Sequence, residues 1–393
     1  MANTPISNFA LFNLGFRPFF LGAALYSIAV MLIWVGVYAF NWSISMDKLS
    51  PYQWHAHEMV YGYAMAVIAG FLLTAVKNWT GIQTVYSGKL ALIFFLWLIA
   101  RILFLFGTDF IIIAGLFDLL FISALFVALL HPIIKSKNWK QLGILSKLLL
   151  LGVLNLCFYL GYSGHLNMGM YWAIYGGLYI VLGLILTIGS RVIPFFIERG
   201  VGYPVTLYNP KWVTITGLLL FLVFFISELF LQNRLVSGIT AIGLFIVYSI
   251  RLYGWYTHGI WKKSLLWSLY LAMAFINIGF LLFALSLFIT ISPYIAIHAF
   301  AYGGIGIITV AMMARVSLGH TGRNINEPPR TVHYMVLLLF VGTCIRVFLP
   351  LLMPVQYITW IVISQLLWIA AFLLFVYTYF SILTKNRIDG QFG

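Results

Sequence analysis

Twelve apolar runs, each close to the length of a membrane span, constrain this chain more than any other feature. A transmembrane α-helix needs about 20 consecutive apolar residues. Only 8% of the residues are charged, against about 25% in a soluble domain, so the chain cannot cover a water-facing surface. We predict an all-α polytopic membrane protein that forms a single transmembrane domain over residues 1–393. Its predicted spans, numbered 1 to 12, are 18–40, 55–76, 89–106, 109–131, 145–163, 171–194, 212–231, 235–254, 265–290, 294–316, 333–351 and 357–383.

The basic residues are distributed unevenly between the two ends of these spans. All but four of the 22 lysines and arginines fall on one predicted side, while Lys48 and Arg234 fall on the other and Arg101 and Arg346 lie within spans. Basic residues concentrate in cytoplasmic loops, so we expect both termini in the cytoplasm. Because the basic residues are scattered singly between apolar runs, we expect the lipid bilayer as a partner and no nucleic acid.

A motif with two histidines and a glutamate opens span 2. Ionisable side chains are costly inside a membrane and usually functional there. His55, His57 and Glu58 stand at the outer start of span 2, and His298 opens span 10 at a similar predicted depth. His165 ends span 5 on the same side, where an interfacial position explains it best. The outer end of the membrane is therefore the predicted location of the site.

A weak internal repeat relates spans 2, 6 and 10. Each contains a Tyr-Gly pair, and the three spans lie four apart, which predicts three four-helix units. The alternative is that the pairs arise by chance in a chain with 23 Tyr and 34 Gly. The pairs are Tyr61-Gly62, Tyr175-Gly176 and Tyr302-Gly303, and the positions five residues before each glycine are His57, Tyr171 and His298.

His57 and His298 are the predicted metal ligands, because two imidazoles on facing helices can hold a haem iron or a copper ion. The alternative is that each caps the start of its own helix or hydrogen-bonds a neighbouring carbonyl. Positions two apart on a helix point about 200° apart, so His55 and His57 cannot face one iron. Glu58 lies three residues after His55 and can orient it towards a second metal; the alternative is an interfacial His–Glu contact.

Two arginines lie within spans and need anionic partners. Carboxylates of Glu58, Asp109 and Asp118 are candidates for Arg101 and Arg346, as are the propionates of a haem. The alternative is that both arginines extend to the outer surface. The predicted cofactor-binding residues are Arg101, Arg346, Glu58, Tyr61 and Tyr171.

Several motifs together make the chain resemble the NnrS family. They are GFRPFF at 15–20, WHAHEM at 54–59, AGFLLTAV at 69–76, NWTG at 78–81, RVIPFF at 191–196, His298-Ala299 and RVSLGHTGR at 315–323. The resemblance implies a haem- and copper-containing, multi-pass protein of the bacterial inner membrane that protects against nitrosative stress. The twelve spans also resemble the catalytic subunit of haem-copper oxidases. Span 7 has no histidine, however, where those oxidases place copper ligands.

Three hypotheses for function follow from these patterns. In the first, haem b lies between spans 2 and 10, held by His57 and His298 with its propionates near Arg101 and Arg346. The protein would then bind or reduce nitric oxide, with electrons from quinol or a separate redox protein. In the second, it transports a small solute or metal complex. In the third, it handles copper or haem without turnover.

Overall fold

The computed structural model describes residues 10–42 and 48–393, and twelve helices within them are long and apolar enough to cross a membrane. No β-strand occurs among these residues, so the all-α, twelve-span prediction is confirmed. The single domain predicted over 1–393 includes residues 1–9 and 43–47, which lie outside the described residues, and it stays a prediction. Spans 1 to 12 are Phe16–Phe40, Pro51–Thr80, Ser87–Leu105, Ile111–Ser136, Trp139–Tyr162, Gly169–Gly200, Lys211–Leu231, Arg234–Trp255, Ser264–Leu285, Pro293–His320, Arg330–Leu352 and Pro354–Thr384.

Local sequence signals start span 2 at Pro51, before the apolar run begins. The hydroxyl of Ser50 accepts a hydrogen bond from the backbone N–H of Gln53 at 3.4 Å, and the Gln53 side chain accepts one from the Ser50 backbone N–H at 3.0 Å. This capping box satisfies donors that the first helical turn leaves free, and proline suits the first helical position. The helix therefore includes polar residues that a search for apolar runs does not count.

Spans 2, 6 and 10 contact one another at the centre of the bundle. Spans 2 and 10 are the most deeply buried of the twelve. A glycine permits the close approach of spans 2 and 6, since a Cβ atom added to Gly177 would lie 2.7 Å from the hydroxyl of Tyr61. Small residues bring membrane helices together in this way. The three spans named by the predicted repeat therefore form the inner layer.

Each of these three central spans changes from α-helix to π-helix near the end that carries His57, Tyr171 or His298. A π-helical segment inserts extra residues per turn and is frequent at functional sites. The segments in spans 2, 6 and 10 are Glu58–Ala64, Trp172–Gly176 and Ala299–Gly306, and they start directly after His57, Tyr171 and His298. The three Tyr-Gly pairs lie inside them. The sequence repeat thus has a structural counterpart at all three positions.

The first and last spans pack against each other. Arg17, fully buried at the start of span 1, donates hydrogen bonds to the carbonyl oxygens of Ile382, Leu383 and Lys385 at 2.8–3.1 Å and of Gly393 at 2.7 Å. These carbonyls lie at and beyond the end of span 12, where a helix leaves its last acceptors free. Arg17 therefore joins the two ends of the chain at one side of the bundle.

Candidate functional site

The histidines of span 2 face two different environments. His55 lines a cavity between spans 2, 6 and 10, whereas His57 is fully buried against spans 3 to 5. Helical geometry requires this, because neighbours two positions apart point in nearly opposite directions. The motif therefore contributes to two separate polar groups, a buried ion network and a cavity.

The ion network is built on the carboxylate of Glu58. Arg101, from span 3, donates to both of its oxygens at 2.7 Å. The hydroxyl of Tyr26, from span 1, donates to one of them, and Nδ1 of His57 lies 2.7 Å from the other. All of these side chains are buried. Glu58 thereby connects three spans by charge-assisted hydrogen bonds, which are the stronger class.

A second carboxylate, that of Asp118 in span 4, completes the network. Its Oδ2 atom lies 2.5 Å from Nη2 of Arg101 and accepts hydrogen bonds from Tyr159 at 2.8 Å and from the Asn155 amide at 3.1 Å. Arg101 therefore lies between two carboxylates, both fully buried. The expectation that this intramembrane arginine has an anionic partner is met by protein side chains.

Hydrogen-bond donors and acceptors fix the role of His57 in this network. The amide nitrogen of Asn155 donates to Asp118, so the amide oxygen of Asn155 faces Nε2 of His57 at 2.9 Å. Because that oxygen can only accept, Nε2 of His57 must donate to it. Nδ1 faces the Glu58 carboxylate at 2.7 Å, so both ring nitrogens are engaged with neighbouring side chains. In this arrangement His57 has no free lone pair for a metal.

The cavity between the central spans has a volume of about 480 Å³, within the range of about 300–1,000 Å³ typical of ligand and cofactor sites. Spans 1, 11 and 12 complete its walls. Most of its lining is aromatic or aliphatic, and a few polar side chains converge on it. The polar, charged and tyrosine side chains of the lining are Tyr38, Tyr52, Gln53, His55, Tyr171, Tyr175, Tyr294, His298, Tyr302, Arg346, Tyr357, Ser364 and Gln365.

The imidazole of His298 is held in one tautomer. Its Nδ1 lies 2.6 Å from the carbonyl oxygen of Tyr294, one helical turn earlier, and must donate to it. Its Nε2 therefore presents a lone pair, which accepts a hydrogen bond from Nη2 of Arg346 at 3.2 Å. A backbone carbonyl commonly orients a metal-binding histidine in this manner.

His55 is positioned by stacking. Its ring lies parallel to that of Trp34 from span 1, with centroids 4.4 Å apart and planes 1° apart. Its Nδ1 atom is buried and has no hydrogen-bond partner. The same holds for Nη1 of Arg346 and for both amide atoms of Gln365. Unsatisfied buried polar groups cost about 1–3 kcal/mol each, so this cavity favours a ligand that supplies their partners.

The structure brings together a different pair of histidines from the predicted one. His55 and His298 share the cavity, while the contacts of His57 lie with spans 3 to 5. Glu58 contacts His57 rather than His55. The physical reason is that the chain enters its π-helical segment at Glu58, which changes the faces on which the following side chains lie. The expected His55–Glu58 pair is therefore corrected.

The other residues predicted from the sequence lie in the cavity, in the ion network or outside both. Arg346 lines the cavity and Arg101 belongs to the network. Tyr171 lines the cavity and donates to the Glu228 carbonyl at 3.4 Å, while Tyr61 donates to the Ala173 carbonyl at 2.8 Å, joining spans 2 and 6. His165 is exposed beside Ser163 at the end of span 5. The predicted metal and cofactor roles of these residues stay predictions.

Two residues of these groups were not identified from the sequence, and only one of them carries a usable sequence signal. Gln365 is a buried amide in the middle of an apolar span, and polar groups at such depth are costly. Tyr26 has no comparable signal, because tyrosines are common throughout this chain. Its partnership with Glu58 depends on the packing of span 1 against span 2.

The cavity contains residue types that could hold a haem. Within residues 10–42 and 48–393, no group of three or more His, Cys, Asp or Glu side chains could hold a metal ion. A haem needs only one or two protein ligands, since the porphyrin supplies the others. Two imidazoles, an arginine for carboxylates and an aromatic lining meet that requirement.

Comparison with known proteins agrees with this architecture. No curated protein matches the sequence significantly. A family model described as NnrS protein matches residues 10–387, a stretch that includes all twelve spans and every residue of the two polar groups. Because this match covers almost the whole chain, the chain belongs to the NnrS family.

Proposed function

We propose that this protein holds a haem b in the cavity between spans 2, 6 and 10 and binds nitric oxide there as part of the response to nitrosative stress. The observation that carries the proposal is the convergence of His55 and His298 on one cavity of about 480 Å³. Nitric oxide is suggested by the family name. His55 replaces the initially predicted His57, whose ring nitrogens are both engaged.

The tautomer of His298 would suit it to hold a haem iron. Donation from Nδ1 to the Tyr294 carbonyl leaves Nε2 as the basic nitrogen and fixes the ring plane, and the hydrogen bond that Nε2 accepts from Arg346 would give way to the iron. His55 would be the second ligand or would face the bound gas, with Trp34 holding its ring in place. Haem iron supplies coordination of nitric oxide and one-electron transfer when it is bound.

Arg346 and Gln365 are the proposed partners for the polar edge of the haem. A guanidinium pairs well with carboxylates such as propionates, and Nη1 of Arg346 has no partner. The amide of Gln365 offers a donor and an acceptor, both unused. Arg101 is not a proposed partner of the propionates, because its guanidinium already pairs with Glu58 and Asp118.

Copper is a second proposed cofactor, because neutral imidazoles also suit that metal. If nitric oxide is reduced rather than only bound, electrons must come from quinol or a separate redox protein. The location we propose is the bacterial inner membrane, with both termini in the cytoplasm as the positive residues require. Cysteine labelling from either side of the membrane at position 165, introduced as His165→Cys, tests the orientation: labelling from outside is expected.

The central experiment is an optical spectrum of protein purified after haem-replete expression. We expect a Soret band that shifts with nitric oxide, and its loss or displacement in His55→Ala and in His298→Ala. His165→Ala is the matched control, since it removes an exposed histidine at the same end of the bundle. Gel filtration in detergent verifies that each variant folds. A wild-type protein without a Soret band overturns the proposal.

A further variant separates the two candidate ligand pairs. His57→Gln keeps hydrogen-bonding groups towards Glu58 and Asn155 but removes an imidazole. If His55 and His298 hold the iron, the Soret position is unchanged in folded His57→Gln protein. A spectrum that changes with His57→Gln and not with His55→Ala would restore the pairing predicted from the sequence. Metal analysis of the same samples reports copper.

A further inference from the structure

A second, smaller cavity lies deeper between the same three central spans. Its volume is about 90 Å³, and its lining exposes no polar atoms. Thr309 is the one lining residue with a polar side chain, and its hydroxyl is already engaged with the carbonyls of Ile305 and Gly306 and with the hydroxyl of Tyr63 at 2.5 Å. The cavity therefore offers no hydrogen bond to an occupant.

The volume and the lining together determine what this inner cavity can hold. It has room for several water molecules, but a buried water needs 2–4 polar partners, and apolar cavities of comparable size stay dry and bind xenon or small hydrocarbons. An ion or a polar solute would lose its hydration without compensation. A small, uncharged, apolar molecule is the class that gains by entering.

The inner cavity continues the outer one along each central helix. On span 2 the lining passes from Val60 in the outer cavity to Ala64 in the inner one, and on span 6 from Leu178 to Val181. These intervals of three and four residues keep the lining on one helix face. Span 10 follows the same order with Ala301 and Tyr302 outside and Ile308 inside. On spans 2 and 6, one apolar helix face thus lines both cavities.

We propose that the inner cavity is a compartment for a small uncharged gas, of the diatomic class, that supplies the outer cavity from the hydrocarbon interior of the membrane. The supply step rests on the proposed haem site, whereas gas binding to the inner cavity does not. Apolar gases reach the protein mainly through lipid, and the lining of this compartment contains no charged residue. A route through it avoids the polar groups around His55 and Arg346.

Gas binding is tested first, with xenon as the probe. Crystals of the full chain under xenon pressure should show an anomalous peak in the inner cavity. Val181→Phe and Ile308→Phe, which add bulk to opposite walls, should remove that peak. The matched controls Val223→Phe and Ile215→Phe make the same changes on exposed faces of span 7, 46% and 57% exposed, and should retain it.

The supply step is tested by the association rate of nitric oxide with the haem protein after flash photolysis. Both filling variants should lower that rate roughly tenfold, since a blocked route slows association, while the Soret position and the controls stay unchanged. If one filling variant does not fold, the other provides the measurement.

The outcomes separate this inference from the proposed function. Wild-type crystals without xenon in the inner cavity, or with density for a lipid acyl chain there, overturn gas binding. Xenon binding with an unchanged association rate in the filling variants overturns the supply step. A protein without a Soret band overturns the haem proposal, and with it the supply step, but leaves the xenon result valid.

Discussion

Replacement of Arg101 by leucine tests whether the buried ion network stabilises the bundle. Arg101 is 1% exposed and lies 2.7 Å from both oxygens of Glu58 and 2.5 Å from Asp118. Arg101→Leu leaves two buried carboxylates without the guanidinium that contacts both of them. Removing one partner of a buried ion pair costs about 3–5 kcal/mol. Each 1.4 kcal/mol is about a tenfold change in an equilibrium constant, so the unfolding equilibrium should shift by roughly two to four powers of ten.

The measurement is reversible unfolding of the purified protein in mixed micelles, with the free energy of unfolding as the result. Arg234→Leu is the matched control, because Arg234 is an exposed arginine at the start of span 8; its change should stay within about 0.5 kcal/mol. The double variant Arg101→Leu with Asp118→Asn removes one of the two carboxylates that Arg101→Leu alone leaves without their guanidinium. Coupled neighbours interact by about 0.5–3 kcal/mol, so the double variant should be more stable than Arg101→Leu alone.

Two results would refute this reasoning. A loss below about 1 kcal/mol in Arg101→Leu, the value of an exposed ion pair, would mean that the network is solvated or already unbalanced. A double variant less stable than the single one would mean that Asp118 contributes through its hydrogen bonds with Asn155 and Tyr159 more than through charge. Either result would contradict the view that Arg101 stabilises the bundle by pairing with both carboxylates.

Three further predictions follow from single positions. Gly177→Val adds a side chain at a position where a Cβ atom alone would lie 2.7 Å from the hydroxyl of Tyr61 in span 2. This variant should lower the free energy of unfolding by about 1–3 kcal/mol in the same micelle assay. The control Gly88→Val, with nothing within 4 Å of its Cβ, should not change it. Gln365→Leu removes two unsatisfied buried polar atoms. It should stabilise the ligand-free protein by about 1–3 kcal/mol and weaken haem retention. Equal destabilisation of the protein with and without haem would contradict the proposal that Gln365 contacts a ligand in the cavity. Outside the membrane, hydrogen bonds from Arg387 lower the pKa of Asp389 to about 2. The Arg387–Asp389 ion pair is therefore complete above the ordinary aspartate pKa and is lost as the pH falls towards 2. An NMR titration of the Asp389 carboxyl should have its midpoint at about pH 2, and in Arg387→Gln the midpoint should return towards the ordinary value.

The sequence by itself determined the number of spans and the depth of the ionisable residues. Apolar length is a local property, and no alternative structure satisfies backbone hydrogen bonds in lipid as well as a helix does. The cost of a charge in a membrane is equally independent of fold, so the need of Arg101 for an anion was visible from its position alone. The repeat in spans 2, 6 and 10 was visible because each of these spans contains a Tyr-Gly pair at an equivalent position.

Only the tertiary structure decided which histidines meet. Helix periodicity separates His55 from His57, but it does not say which of the two faces the bundle axis. The π-helical segments that start at Glu58 and Ala299 change the direction of the following side chains, and although a Tyr-Gly pair lies in each, that pair does not reveal the change of helix type. The partners of both groups, such as Tyr26 and Gln365, come from spans far apart in the chain. Those contacts depend on how twelve helices pack, which is why His55, and not His57, shares the cavity with His298.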